Sequence, residues 1–192
     1  MDSLSYFYNC SKEYISTISP SLHGEIGDAI SNLPKRSTQS EVNRDLFWLL
    51  TSKGWSYDSL PAKLDQKPPS DLLSGLPTLD QIRGANNSDL CLTTTTLDAG
   101  WRADFAKSFG NGLVQIEAQF GKVEAMFKDF CGFQIAHFER RLALGIEIVM
   151  SDPGKYFAER KEATSGMAYF KIAKTTLPAI GLSCPIWLVG IT

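Results

Sequence analysis

After Gly100 the chain carries four apolar, β-prone runs: WRADFA (101–106), LVQIEAQF (113–120), LALGIEIVM (142–150) and CPIWLVGI (184–191). Segments with helical spacing separate the last three. Strands that alternate with helices predict an α/β domain with a mixed central β-sheet flanked by helices. Between the second and third runs, Val123, Met126, Phe127 and Phe130 fit one face of a helix that continues toward His137. A further helix is expected over part of 163–175.

The N-terminal third reads as helical. Ser19-Pro20 has the form of a helix start, and Leu22, Ile26, Ile30 and Leu33 then share a face before Pro34 closes the element. A second helix is expected from Thr38 or Ser40, burying Val42, Leu46, Leu49 and Leu50 and stopping at Gly54. From Pro61 to Asn87 the chain is rich in Pro, Gly, Asp and Ser, which disfavours long regular elements. The four threonines at 93–96 are read equally well as a strand edge, a turn or a linker. With 192 residues the expectation is one domain: a helical part at 1–60, a loop-rich part at 61–97 and an α/β core at 98–192.

Composition narrows the function classes. The 43% hydrophobic and 21% charged content belongs to an ordinary globular chain and excludes a disordered one. No apolar run reaches the roughly 18 residues needed to span a bilayer, so a cytoplasmic protein with no membrane partner is expected. Cys10, Cys91, Cys131 and Cys184 lie far apart without a CxxC pair, which points to small buried hydrophobes rather than a zinc site. The formal net charge of −2 weighs against a protein coated in positive charge. The imbalance is local, however: residues 1–99 hold 8 basic and 12 acidic groups, residues 100–192 hold 11 and 9.

The run at 113–120 carries the chemistry. Side chains alternate along a strand, so Val114, Ile116, Ala118 and Phe120 form an apolar face and Gln115, Glu117 and Gln119 form a polar row. On an unaided surface strand such a row is simply wet. Here Asp104 lies on the preceding β-prone run, and a short turn around Gly110-Asn111-Gly112 returns the chain beside it as a hairpin. Two carboxylates then meet at one sheet position. Their repulsion calls for a cation between them, and a hard divalent ion such as Mg²⁺ suits oxygen ligands.

RADFAK (102–107) followed by VQIEAQFGK (114–122) resembles the active-site segment of the BglII/BstYI group of type II restriction endonucleases, a branch of the PD-(D/E)xK nucleases. The likeness is nearer to the BstYI side of that group. It continues through LGIEIVM, ATSGMAYF (163–170) and PIWLVGI, more faintly through the N-terminal helices and KGW (53–55), and is weakest over 56–97. An ExQ triplet alone is a weak motif. The upstream acid, the FGK extension and the downstream strands in matching order make the combination specific.

The resemblance implies a restriction-endonuclease-like core and a Mg²⁺-dependent, site-specific deoxyribonuclease. By position, Asp104 and Glu117 become the acidic pair, with Asp98 the lesser candidate for the first acid. Gln119 stands where most of the superfamily has lysine. The gap from Asp104 to Glu117 is longer than in the relatives, by an insertion near 109–112. Asp104 and the carbonyl of Ala118 are expected to bind Mg²⁺, with Glu117 binding the ion directly or through its water. Lys107 and Lys122 are the nearby cations, open to three readings: partial compensation for the missing lysine, contact with phosphate, or a solvated surface. Lys122 and Ser165, with Thr164 beside it, match positions that contact bases. The implied partner is double-stranded DNA, cut by a homodimer at a short palindrome with GATC at its centre, RGATCY-like. Three alternatives stand beside this: a repair or recombination nuclease on the same fold, a DNA-binding module with an inactive site, and a structural or interaction protein.

Overall fold

The computed structural model describes residues 3–95, 100–157 and 166–192. Six strands form one mixed sheet in the order β1-β6-β5-β4-β3-β2. They are β1 (Ser3–Tyr8), β2 (Ser56–Tyr57), β3 (Phe105–Phe109), β4 (Gly112–Ala118), β5 (Leu142–Met150) and β6 (Ile186–Ile191). The three central strands β4, β5 and β6 run parallel, and β1, β3 and β2 are antiparallel to their neighbours. Seven α-helices accompany them among the described residues: α1 (Lys12–Ile18), α2 (Leu22–Ser31), α3 (Gln39–Thr51), α4 (Leu79–Ala85), α5 (Val123–Phe138), α6 (Pro153–Tyr156) and α7 (Phe170–Ile180). None of the described helices is long and apolar enough to cross a membrane.

Strand alternation divides the interior into two cores. Val114 and Ile116 of β4, Leu144, Ile146, Ile148 and Met150 of β5, and Trp187, Val189 and Ile191 of β6 pack with the N-terminal helices. Leu142 and Val149 of β5 and Ile186 and Leu188 of β6 turn the other way and pack with Met126, Phe130 and Phe133 of α5 and Ala173 and Leu177 of α7. Helix α5 lies close to the sheet because position 145 has no side chain: a Cβ there would stand 2.6 Å from the Phe133 ring.

Several expectations are met. The second N-terminal helix begins with a full capping box, Thr38 Oγ accepting from the Glu41 N–H while the Glu41 carboxylate accepts from the Thr38 N–H. It buries Val42, Leu46, Leu49 and Leu50 and is followed by Gly54 at φ +81°. Others are corrected. The N-terminal part is not purely helical: Ser3–Tyr8 is an edge strand on β6, and Ser56–Tyr57 closes the opposite edge. Only Tyr6, Phe7 and Tyr8 of β1 are even partly buried, so its hydrophobic pattern is faint in the sequence. Helix α2 starts at Leu22, after a separate helix α1, and Ser19-Pro20 lies in the turn between them. On α5, Phe127 is exposed rather than buried with Met126 and Phe130. The helix expected within 163–175 runs over Phe170–Ile180 in its described part. Cys91 and Cys184 are buried as expected, whereas Cys131 is exposed.

Candidate active site

Strands β3 and β4 form a tight hairpin, with Phe109 opposite Gly112 and Phe105 opposite Ile116. The register carries one step further to set Asp104 beside Glu117, and reciprocal backbone bonds fix the pair. The Asp104 N–H donates to Glu117 Oε2 at 3.2 Å, and the Ala118 N–H donates to Asp104 Oδ2 at 2.9 Å. The 13-residue separation is therefore the length of a hairpin. Residues added in matched numbers to its two arms leave the acids facing each other. Asp98 lies outside the described residues.

The pair opens into a cavity of about 310 Å³ whose lining includes Asn43, Trp101, Arg102, Asp104, Glu117, Ala118 and Gln119. One face of α5 closes it: Ala125, Lys128, Asp129 and Gly132 recur at the spacing i, i+3, i+4, i+7. Two small residues flank a charged pair, leaving room between helix and strand. A Cβ on Gly132 would come within 3.2 Å of the Thr93 methyl group. A smaller cavity of about 140 Å³, lined in part by Asn43, Asp104 and Ala118, adjoins the first. The Oδ1 atom of Asn43 is buried without a hydrogen-bond partner.

Gln119 is held at both ends of its amide. Its Oε1 accepts from the Gly121 N–H at 2.9 Å, and its Nε2 donates to Asp129 Oδ2 at 3.0 Å. Gln115, the first member of the polar row, is fully buried and donates to the carbonyls of Leu90 and Leu92, so it anchors the preceding segment instead of facing the cavity.

The site is electrostatically strained toward negative charge. Burial raises the Asp104 carboxyl, opposed by the Ala118 N–H it accepts. By surface area Asp104 is exposed, yet it lies in a concave mouth surrounded by protein: reachable and poorly hydrated at once. Glu117 is pushed well above the ordinary carboxylate range, first by burial and then by Asp104 and Asp129. Asp129 is pushed up to about 6 by burial, with the Gln119 bond pulling it back. Beneath them, Glu147 of β5 stands opposite Glu117 in the parallel ladder, fully buried, with neither carboxylate oxygen hydrogen-bonded. Burial, then Asp129 and Glu117, hold its carboxyl well above the usual range. Asn43, Lys128, Asp129 and Glu147 were not singled out in the sequence. The available signals were the small-charged-charged-small face of the helix and an acid inside the otherwise apolar run LALGIEIVM.

This donor set fits a hard divalent ion. Two clustered carboxylates and an adjacent backbone carbonyl are oxygen ligands, and the surplus of negative charge at the cavity floor favours a cation. Among the described residues no three His, Cys, Asp or Glu side chains converge to hold a metal by themselves.

A model of the restriction endonuclease BglII/BglIII family matches residues 5–191, nearly the whole chain. The chain belongs to that family. A solved structure described as the restriction endonuclease BglII complexed with a DNA 16-mer superposes with a TM-score of 0.62 at 16% identity, covering 100% of this chain and 78% of that one. At that identity the likeness speaks to the fold, and the mixed six-stranded sheet with flanking helices is the restriction-endonuclease fold. No curated protein sequence matches the chain. As a family member the chain is a restriction endonuclease, a nuclease that acts on DNA.

The structure brings Asp104, Glu117, Ala118 and Gln119 together and places other candidates elsewhere. Lys107 is on the opposite face of the sheet, where its Nζ donates to Glu25 Oε2 and to the Lys53 carbonyl, each at 2.7 Å, over the rings of Trp55 and Phe109. A cation so committed has no hold on the cavity. Lys122 is exposed at the N-cap of α5, and the backbone of 121–123 is bonded to that of 166–168. Thr164 and Ser165 lie outside the described residues. His137 Nδ1 lies 3.3 Å from the Leu142 carbonyl at the far end of α5, a structural position. Arg102 reaches the cavity wall but is bound to Asp58 and to the Ser88 carbonyl.

Proposed function

We propose that the chain is a type II restriction endonuclease that hydrolyses both strands of double-stranded DNA at a GATC-centred, RGATCY-like palindrome, using Mg²⁺. The observation that carries the reading is the reciprocal bonding that sets Asp104 and Glu117 side by side at the mouth of a cavity within a family of DNA nucleases. Asp104 and the Ala118 carbonyl would hold the ion, with Glu117 bound to it directly or through a water. When bound, Mg²⁺ supplies Lewis acidity and a more acidic water for attack on phosphorus.

The chain's own groups do the rest. The backbone bonds between Asp104 and Glu117 keep both carboxylates in position before substrate arrives, so little reorganisation is needed in the reaction. Gln119 carries no charge and cannot act as a base. With one N–H given to Asp129, its second N–H is left to orient a water or a phosphate oxygen. Lys122, beside 166–168, and Ser165, with Thr164, are the proposed base contacts: lysine donates to guanine acceptors in the major groove, and serine serves several base edges. A palindromic target implies a homodimer whose two-fold axis coincides with that of the DNA.

Digestion of a plasmid with Mg²⁺, followed by sequencing of the ends, tests the specificity. Uniform ends at one GATC-centred palindrome are expected. Random ends contradict it, structure-selective nicking favours a repair or recombination nuclease, and binding without cleavage favours an inactive DNA-binding module.

A further inference from the structure

Gln119, just beyond β4, stands where the resemblance puts the lysine of most of the superfamily, and the two lysines nearest in sequence do not replace it: Lys107 is sequestered under the sheet by Glu25, and Lys122 is not part of the cavity wall. One lysine is. Lys128 lines the cavity on the face of α5 that also carries Ala125, Asp129 and Gly132. It is exposed, and among the described residues it has no ion-pair partner within 4 Å and no hydrogen bond. Its charge nevertheless acts on the site, opposing the rise of the Asp104, Glu117 and Asp129 carboxyls. The helix is strapped to the strand one residue further on, where Asp129 receives the Gln119 amide at 3.0 Å. The residue that occupies the lysine position is thus bonded to the chain neighbour of a lysine that lines the same cavity.

We infer that Lys128 is a catalytic residue, its ammonium contacting the scissile phosphate and supplying the positive charge that Gln119 cannot. The bland reading is a solvated surface lysine. It accounts for the exposure but not for a cation without an ion-pair partner among the described residues, set in the wall of a cavity that holds Asp104, Glu117 and Asp129, where the other lining cation, Arg102, is already bound to Asp58. The inference rests on the nuclease reading and adds a residue to it. No bond to Lys128 forms or breaks: it stabilises charge developing on the phosphate oxygens and keeps its proton.

The test compares wild type, Lys128→Ala, Lys128→Arg and the double variant Lys128→Ala with Gln119→Lys. Single-turnover cleavage of a plasmid is measured with Mg²⁺, and affinity for a linear duplex is measured with Ca²⁺ in its place. Because Lys128 is exposed, its loss leaves the fold intact, which melting temperatures verify. Lys128→Ala is expected to slow cleavage about 100-fold while duplex affinity changes no more than about threefold, as for a contact realised chiefly in the transition state. Lys128→Arg and the double variant are each expected to recover at least about tenfold of the loss, because a cation is restored at the same cavity. Wild-type cleavage with an unaffected Lys128→Ala overturns the inference alone. So does an equal loss of affinity and rate, or a loss that neither restored cation repairs. Absence of Mg²⁺-dependent cleavage in the wild type overturns the nuclease reading and the inference with it.

Discussion

At the residue scale the site is a set of carboxyl groups held against their preference. A buried carboxyl without a partner destabilises its charged form, and Glu147 has no partner on either oxygen. The consequence for stability has a definite sign. Glu117, Asp129 and Glu147 are raised in the folded chain, so the native state holds protons that the unfolded chain releases in the ordinary carboxylate range. Their stabilising contribution is fully present below that range and is lost as pH rises through the folded values, the Asp129 step lying near 6. Without divalent metal, the melting temperature is therefore expected to fall between about pH 5 and pH 8. Glu147→Gln should flatten that slope and raise the midpoint at pH 8 by on the order of 5 °C, read by scanning calorimetry. A variant that melts lower than wild type at pH 8 counts against the reading of Glu147 as an unpaired carboxyl. The acid pair was legible in the sequence because a strand's two-residue period and a glycine-rich turn place Asp104 and Glu117 together. Asn43 and Asp129 were not, because their approach depends on how α3 and α5 pack, which periodicity does not specify.

At the element scale, α5 carries a wall of the candidate site, and two glycines govern its seat. Gly145→Ala would drive a methyl group into the Phe133 ring and lift the helix from β5. A loss of about 1–3 kcal/mol in urea unfolding is expected, as for overpacking elsewhere. Cleavage should fall with it, since Lys128 and Asp129 move with the helix. Thr38→Ala removes the capping box of α3 and should cost about 1 kcal/mol in the same measurement while leaving the pH slope unchanged. The helices were read well where caps and apolar faces coincide, as on α3. Strand β1 was missed because it is an edge, half exposed, and gains its place from pairing with β6 at the other end of the chain. The loop-rich part owes its order to side-chain anchors that no local pattern announces. Arg36 joins Asp71 to Asp45 of α3, and Asn86 bonds both the N–H and the carbonyl of Tyr57 as a neighbouring strand would.

At the scale of the whole molecule, the fold supplies a site and the family supplies its substrate class. The mixed sheet was foreseeable from alternating β-prone and helical segments, whereas the strand order that sets Glu147 behind Glu117 was not. A homodimer is expected to sediment at twice the mass of the 192-residue chain, and a strictly monomeric protein that still cuts both strands at one site would remove the symmetry argument. The central claim is that the Asp104–Glu117 pair is a metal-dependent phosphodiesterase centre. Its most direct test is single-turnover cleavage of plasmid DNA by wild type and Glu117→Ala, each with Mg²⁺ and with EDTA. Wild type should cut only with Mg²⁺, and the variant should be slower by at least about 100-fold. Equal rates for the two proteins, or cleavage indifferent to EDTA, would contradict the account.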